Sequence, residues 1–216
     1  MTQDSTKIKI MIADDHAVVR QGIEKMISKT EDMEIVAEAA NGSEVLEKLK
    51  QVDVDILLMD IEMPGKNGWD VLADLQQSQP DLPVIILSIF PEEHYGPRFI
   101  KVGARGYLNK GSPPANILKA IRKVHQGGKY VSPELAELLI QDMAKPSGTQ
   151  PHQLLSGREF QVFCQIAAGR KLKEIADELS VGITTVSTHR ARILEKMKMK
   201  NNAELIRYAV KHGLVD

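Results

Sequence analysis

From residue 8 to residue 126 short apolar runs alternate with amphipathic stretches. The runs are "IKIMIA" (8–13), "MEIVAEA" (33–39), "DILLM" (55–59), "VIILS" (84–88) and "GYLN" (106–109). Each is short and bounded by polar or turn-forming residues, as buried strands are. Helical spacing fills the gaps near 16–28, 43–50, 68–78, 92–102 and 113–126. The alternation predicts repeated βα units around a parallel sheet with helices on both faces, an α/β doubly wound fold. In such sheets the site lies outside the carboxyl ends of the strands. Gly96-Pro97 interrupts the fourth helical stretch, so that helix is expected to be short, kinked or late to start.

A further helix is expected at 132–143, with Ser132 as N-cap and Pro133 at its first position. "AKPSGTQPHQ" (144–153) has no periodicity and reads as a linker. Beyond it the pattern is wholly helical. Ser156-Gly157-Arg158-Glu159 fits a capping box opening a helix that stops near Gly169. "KEIADEL" (173–179), a tight turn at Ser180-Val181-Gly182, a longer helix over 183–198 and a last one over 202–211 complete it. Two helices joined by a short Gly-containing turn, the second polar and basic on one arc, form a helix-turn-helix pattern. The expected divisions are 1–130, a helix and linker over 131–153, and a small all-α domain over 154–216.

The chain of 216 residues is long enough for two cores, and its single cysteine, Cys164, excludes an intramolecular disulfide framework. No apolar run reaches the roughly 18–20 residues of a membrane span, and the N-terminus lacks the pattern of a secretion signal. The expectation is a cytoplasmic protein with no membrane partner. Net charge is −1, but residues 1–151 carry 17 Lys and Arg against 22 Asp and Glu, whereas 152–216 carry 11 against 7. A basic second part suits a polyanionic partner, weakly by itself.

The strand ends carry the candidate chemistry. The first ends at Asp14-Asp15, the third at Asp60, the fourth at Ser88, and the fifth is followed by Lys110. Taken singly, these are a helix cap, a strand end and a solvated lysine. Together on one sheet edge, three carboxylates repel and call for a cation. Mg²⁺ prefers such hard oxygen ligands. Metal and lysine would also neutralise a phosphoryl group at Asp60, with the Ser88 hydroxyl able to hydrogen-bond one of its oxygens.

"IADDH", "LLMDIEMPGKNGWDVL", "VIILS" and "GARGYLNKG" resemble the receiver domain of two-component response regulators over roughly residues 7–127. The resemblance implies a (βα)5 receiver with a flavodoxin-like sheet, phosphorylated on Asp60 by a sensor histidine kinase. Asp14, Asp15, Asp60 and the Glu62 backbone carbonyl would hold Mg²⁺. Lys110 would pair with the phosphoryl group, while Ser88 and Tyr107 would be the switch hydroxyl and switch aromatic. Gly96-Pro97, and Asn109 in place of an apolar residue, depart from the family pattern.

On the helix over 183–198, Val186, Ile193, Leu194 and Met197 share one side, and Thr184, Ser187, Thr188, Ala191 and Arg192 the opposite arc. Short polar side chains allow close approach to base edges, and Arg190, Lys196, Lys198 and Lys200 are placed to hold phosphates. Residues 154–214 resemble the LuxR-type, or NarL/FixJ-type, DNA-binding domain. That resemblance implies contacts to double-stranded promoter DNA from Ser187, Thr188 and Ala191, with Lys173 near the backbone, and a homodimer on DNA. Here Ser187 stands where Lys is common, Gly182 replaces a Ser cap, and Arg190 sits where an apolar residue is frequent. Two other classes compete: a transcription factor with an unresponsive receiver, and an aspartyl-phosphate phosphotransferase or phosphatase. The intact acid, hydroxyl and lysine set opposes the first. The second lacks a catalytic Asp two residues after Asp60 and leaves the helix-turn-helix unexplained.

Overall fold

The computed structural model describes residues 7–144 and 150–215. The chain divides into two compact units, Met1–Met143 and Ala144–Asp216. The first contains β1 (Ile8–Ala13), α1 (Ala17–Ile27), β2 (Met33–Ala39), α2 (Gly42–Lys48), β3 (Ile56–Met59), α3 (Gly68–Ser78), β4 (Val84–Ser88), α4 (Glu92–Val102), β5 (Gly106–Asn109), α5 (Pro114–His125) and α6 (Pro133–Ala144). All strand pairs are parallel, in the order β2-β1-β3-β4-β5.

Both faces of this sheet are covered, which is why β3 and β4 are apolar at nearly every position instead of alternating. Ile10, Ile12, Ile56, Leu58, Ile85 and Leu108 meet Ile23 and Ile27 of α1 and Ile117, Ile121 and Val124 of α5. Successive strand residues point to opposite faces, so Tyr107 lies across the sheet from Leu108. There Phe99 of α4 stacks on Trp69 of α3 at 3.5 Å between ring centroids and lies 6.2 Å from the Tyr107 ring.

The strand order reverses between β1 and β3, so their connections leave in opposite directions and open a crevice at their carboxyl ends. Asn67 shapes one wall: its side chain accepts hydrogen bonds from the amides of Trp69 and Asp70 and starts α3.

The fourth helix corrects the expectation drawn from Gly96-Pro97. It runs unbroken over 11 residues with Pro97 inside. An interior proline costs about 3 kcal/mol, and burial of Tyr95, Phe99 and Ile100 on either side of it offsets that cost.

The second unit contains a 3₁₀ turn (Pro151–Leu154), α7 (Gly157–Ala167), α8 (Leu172–Glu178), α9 (Ile183–Met197) and α10 (Asn202–Lys211). Ser156 and Glu159 form the capping box of α7, and Gly169 takes φ 81° just beyond it. The 3₁₀ turn falls at the end of the stretch read as linker, 144–153, of which 145–149 lie outside the described residues. His152 Nδ1 lies 2.9 Å from the Tyr208 hydroxyl, 56 residues away, and its ring joins a cluster with Phe160 and His212. The His152 ring ties the turn to the unit, although none of the turn's residues is buried.

Candidate functional site

β1 and β3 deliver their acids side by side. The Asp60 amide donates to the Ala13 carbonyl at 2.8 Å, and the Asp14 amide to the Ala39 carbonyl at 3.0 Å. Both carboxylates are buried, and the Lys110 ammonium lies 2.6 Å from Asp14 Oδ2 and 2.8 Å from Asp60 Oδ2. The Lys110 side chain is only 12% exposed, so this pairing is poorly screened by water.

Burial pushes the Asp60 carboxyl up to about 6, with Asp14 adding to the rise and Lys110 and the Ile61 amide opposing it. The Ile61 amide donates to Asp60 Oδ1 at 2.7 Å. For Lys110, burial works against the charge, but Asp60 and Asp14 outweigh it and hold its pKa above the ordinary lysine value.

Asp15 is exposed beside this pair. Ligand atoms of Asp14, Asp15, His16 and Asp60 all lie within 4.8 Å of one another. This is an acidic cluster of the kind that holds Mg²⁺, and its donors are mainly hard carboxylate oxygens, which fit that ion. Glu62 is half-buried two residues beyond Asp60.

Ser88 and Tyr107 are brought together. Ser88 is fully buried at the end of β4, and its hydroxyl accepts the Phe90 amide at 3.2 Å. The Tyr107 hydroxyl donates to the Phe90 carbonyl at 3.0 Å, so Phe90 links the two. Burial pushes the Tyr107 pKa up, against the lowering by Ser88. The Lys110 amide donates to the Ser88 carbonyl at 2.8 Å, joining the lysine loop to this pair.

Several contributors escaped the sequence reading. Arg20 donates from its guanidinium to the Asp14 carbonyl at 2.7 Å and to Glu38 Oε2 at 2.8 Å, bracing the acidic loop between α1 and β2. His16 Nδ1 lies 2.7 Å from Asp15 Oδ1. Gly68 lets α3 close over the end of β3, since a Cβ there would stand 2.5 Å from the Asp60 carbonyl oxygen. Asn109 Oδ1 accepts the Gly111 amide at 2.8 Å and turns the loop around Lys110. Only the Asp-Asp-His and Gly-Lys-Asn-Gly strings hinted at any of these.

In the second unit, Val186, Ile193 and Met197 of α9 are buried, and Thr184, Ser187, Thr188, Ala191 and Arg192 are exposed along one arc. Lys173, on α8, is exposed as well. The basic residues separate into two groups. Arg190 Nε donates to Asn202 Oδ1 at 2.6 Å, and Lys196 lies 2.6 Å from the buried carboxylate of Glu159. Both hold α9 to the rest of the unit, whereas Arg192 projects from the exposed arc.

Residues 10–122 match the response regulator receiver domain, and residues 153–209 match the bacterial regulatory proteins of the luxR family. Over 97% of its length the chain is 36% identical to the response regulator GacA of Pseudomonas syringae, covering 98% of that protein. The chain belongs to the response regulators. Against the oxygen regulatory protein NreC of Staphylococcus epidermidis the regulator is 38% identical, over 97% of its own length and all of NreC. A solved structure of RcsB from Salmonella enterica serovar Typhimurium, bound to promoter DNA with a phosphomimetic, aligns with 94% of the regulator. The alignment covers 98% of the RcsB chain, with a TM-score of 0.65 and 25% identity.

This architecture makes the regulator a phosphorylation-dependent, DNA-binding transcription factor of a two-component system, not an enzyme. Among the described residues no helix is long and apolar enough to cross a membrane.

Proposed function

We propose that Asp60 accepts the phosphoryl group from a sensor histidine kinase and that α9 reads promoter DNA. The observation carrying the first half is the Lys110 ammonium set between Asp14 and Asp60 at 2.6 and 2.8 Å. An Asp60 carboxylate oxygen attacks phosphorus in line, the new O–P bond forming as the bond to the leaving group breaks. The lysine, already within hydrogen-bonding distance of Asp60, stabilises the charge on the phosphoryl oxygens. Asp14, Asp15, Asp60 and the Glu62 backbone carbonyl would hold Mg²⁺, which supplies further neutralisation of those oxygens when bound. Ser88 then turns its hydroxyl toward the new group and releases Phe90 and Tyr107 from their present hydrogen bonds.

Residues 1–130 serve as the receiver, 131–153 as helix and connection, and 154–216 as the reader. Thr184, Ser187, Thr188, Ala191 and Arg192 face the groove, and Lys173 lies near the backbone. Arg190 and Lys196 sit at the margin of this surface and orient the helix. A short reader with few free charges gains affinity and specificity from two half-sites, so the regulator acts on DNA as a homodimer. It works in the cytoplasm. The deciding experiment is labelling from a small phosphodonor such as acetyl phosphate in the presence of Mg²⁺. Asp60→Asn abolishes the acid-labile label, and undiminished labelling would overturn the assignment.

A further inference from the structure

Asp14 and Asp15 sit on the short turn between β1 and α1, and the two acids are held unequally. The Asp14 amide donates to the Ala39 carbonyl at 3.0 Å, its Oδ1 accepts the His16 amide at 2.9 Å, and its Oδ2 pairs with Lys110. Asp15 is exposed, and its Oδ1 meets the exposed ring of His16 at 2.7 Å. The aim of the Asp15 carboxylate therefore rests on the backbone. The planar peptide between residues 14 and 15 contains the Asp14 carbonyl, so the direction of that carbonyl sets how the Asp15 side chain leaves the chain.

Arg20 grips this carbonyl. It lies one turn into α1, where side chains lean back toward the start of the helix, and its Nη1 donates to the Asp14 carbonyl at 2.7 Å. From the same guanidinium Nε donates to Glu38 Oε2 at 2.8 Å. The planar fork spans both acceptors in one geometry. The Arg20 side chain is only 18% exposed, so water competes weakly for either bond.

Glu38 is itself anchored. It faces Ile12 across the β1–β2 ladder, and its carbonyl accepts the Lys48 ammonium of α2. Four residues on, the Gly42 amide donates to the Lys66 carbonyl at 3.0 Å, an approach so close that a Cβ on Gly42 would collide with that carbonyl. Residues 38–42 thus tie down two loops: the one bearing Asp14 and Asp15, and the one running from Asp60 through Glu62 to Lys66. A fixed cation beside a cation site weakens binding by repulsion. The Glu38 carboxylate offsets the Arg20 charge and leaves its hydrogen bond to act.

We infer that Arg20 is a positioning residue for the divalent cation: by holding the Asp14 carbonyl against the anchor of Glu38 it aims the Asp15 carboxylate, and so sets how tightly the acid cluster binds Mg²⁺. The inference rests on the reading of Asp14, Asp15 and Asp60 as Mg²⁺ ligands. It gives Arg20 no part in phosphoryl transfer.

The test is titration calorimetry of the full chain with Mg²⁺, paired with labelling from acetyl phosphate at increasing Mg²⁺. Arg20→Met has similar length but loses both bonds and one positive charge beside the acids. By charge alone that change tightens cation binding. By loss of position it weakens binding, by about tenfold, so the sign of the effect decides. The Mg²⁺ concentration giving half-maximal labelling rises in step, and the maximum is recovered at saturating Mg²⁺. Arg20→Lys keeps the charge opposite Glu38 and with it the fold, but its ammonium cannot span the two acceptors as the fork does. Its affinity falls between those of wild type and Arg20→Met, and it decides the matter alone if the methionine variant does not fold. Affinity equal to or tighter than wild type in either variant overturns the inference and leaves Arg20 as a staple between α1 and β2, read as a lower melting temperature only. A labelling maximum that added Mg²⁺ does not restore also overturns it, by placing Arg20 in the transfer step. Absence of Mg²⁺ binding to the wild-type chain, with labelling that needs no divalent cation, overturns the Mg²⁺ reading itself.

Discussion

The edge of the receiver sheet and the exposed arc of α9 use charge in opposite ways. At the sheet edge two buried acids each lie within 3 Å of one lysine ammonium, and all three residues are fixed by a backbone bond from a neighbouring strand or loop. On α9 the outward residues are short, mostly uncharged and exposed. The lysine that looked available on that helix, Lys196, is paired with Glu159, and Arg190 is bonded to Asn202. Reaction chemistry at a buried site requires groups to be desolvated and preorganised before the ligand arrives. Reading DNA requires the reverse: donors and acceptors left solvated until base edges and phosphates replace the water. Counting charges along a sequence cannot separate these cases, because it does not show which charges are already paired inside the fold.

The comparison is broken most sharply at Lys110. Lys110→Met leaves Asp14 and Asp60 facing each other without a cation and removes the donor nearest the proposed phosphoryl site. Labelling from a small phosphodonor then falls by about a hundredfold or more, while thermal unfolding of the second unit is unchanged. Retained labelling would mean that the lysine only neutralises the acids and takes no part in transfer.

On the reader, Ser187→Glu combined with Arg192→Glu adds like charge against DNA at two exposed positions. Affinity for a duplex selected from a random pool by the wild-type chain falls by at least about tenfold, with no loss of stability. The dependence of affinity on salt flattens, because fewer counterions are released. Unchanged affinity would remove α9 from the interface. Arg190 is unsuited to this test, since its charge reversal also breaks the contact with Asn202.

Most of the architecture was legible because each strand is a short apolar run between strong breakers, and some helices have a marked start, as at Ser132 and Ser156. The acids were legible as well, since the carboxyl ends of parallel strands share one edge whatever the details. What escaped was long-range or stereochemical. The bond from Arg20 to the Asp14 carbonyl and its pair with Glu38 join α1 to the end of β2, and no periodicity encodes such a meeting. Gly68 reads as one more turn residue until its approach to the Asp60 carbonyl is seen. Pro97 carries a strong local signal for a break, yet α4 continues through it because buried Tyr95, Phe99 and Ile100 outweigh the lost hydrogen bond. His152 was read as linker because its partner, Tyr208, lies in the last helix.

Lys196 sharpens the contrast at intermediate size. Burial raises the Glu159 pKa, but hydrogen bonds from Lys196 and Ser156 outweigh it and leave the carboxyl below its ordinary value of 4.5. A carboxyl whose pKa is lowered by folding contributes stability above its unfolded value, and that contribution is lost as pH falls through the folded value. Lys196→Met leaves Glu159 buried without its cation and destabilises the second unit by about 1–3 kcal/mol near neutral pH. In the variant burial dominates, so the loss shrinks as pH falls toward 4.5 and below. Denaturation of the full chain followed through exchange at α7 reads both the size and the sign. A variant as stable as wild type at neutral pH would return Lys196 to the DNA-facing group.

The smallest effect is expected at Gly182, the N-cap of α9. Its φ of −68° and ψ of 145° suit any residue, and it makes no side-chain cap. A Cβ there meets nothing nearer than Thr185 Oγ1 at 3.9 Å, so a serine fits without strain. Gly182→Ser supplies a hydroxyl to the first amides of α9 and stabilises the second unit by a few tenths of a kcal/mol, raising its melting temperature by about 1–3 °C. The new hydroxyl sits at the end of the exposed arc, beside Thr184, and it satisfies amides that otherwise face solvent or a phosphate. DNA affinity is therefore the more informative reading. A gain in stability with affinity within about twofold of wild type places this end of α9 outside the phosphate contacts. Added stability with weakened binding places the bare amides among them, so that the missing cap serves recognition at the expense of the helix.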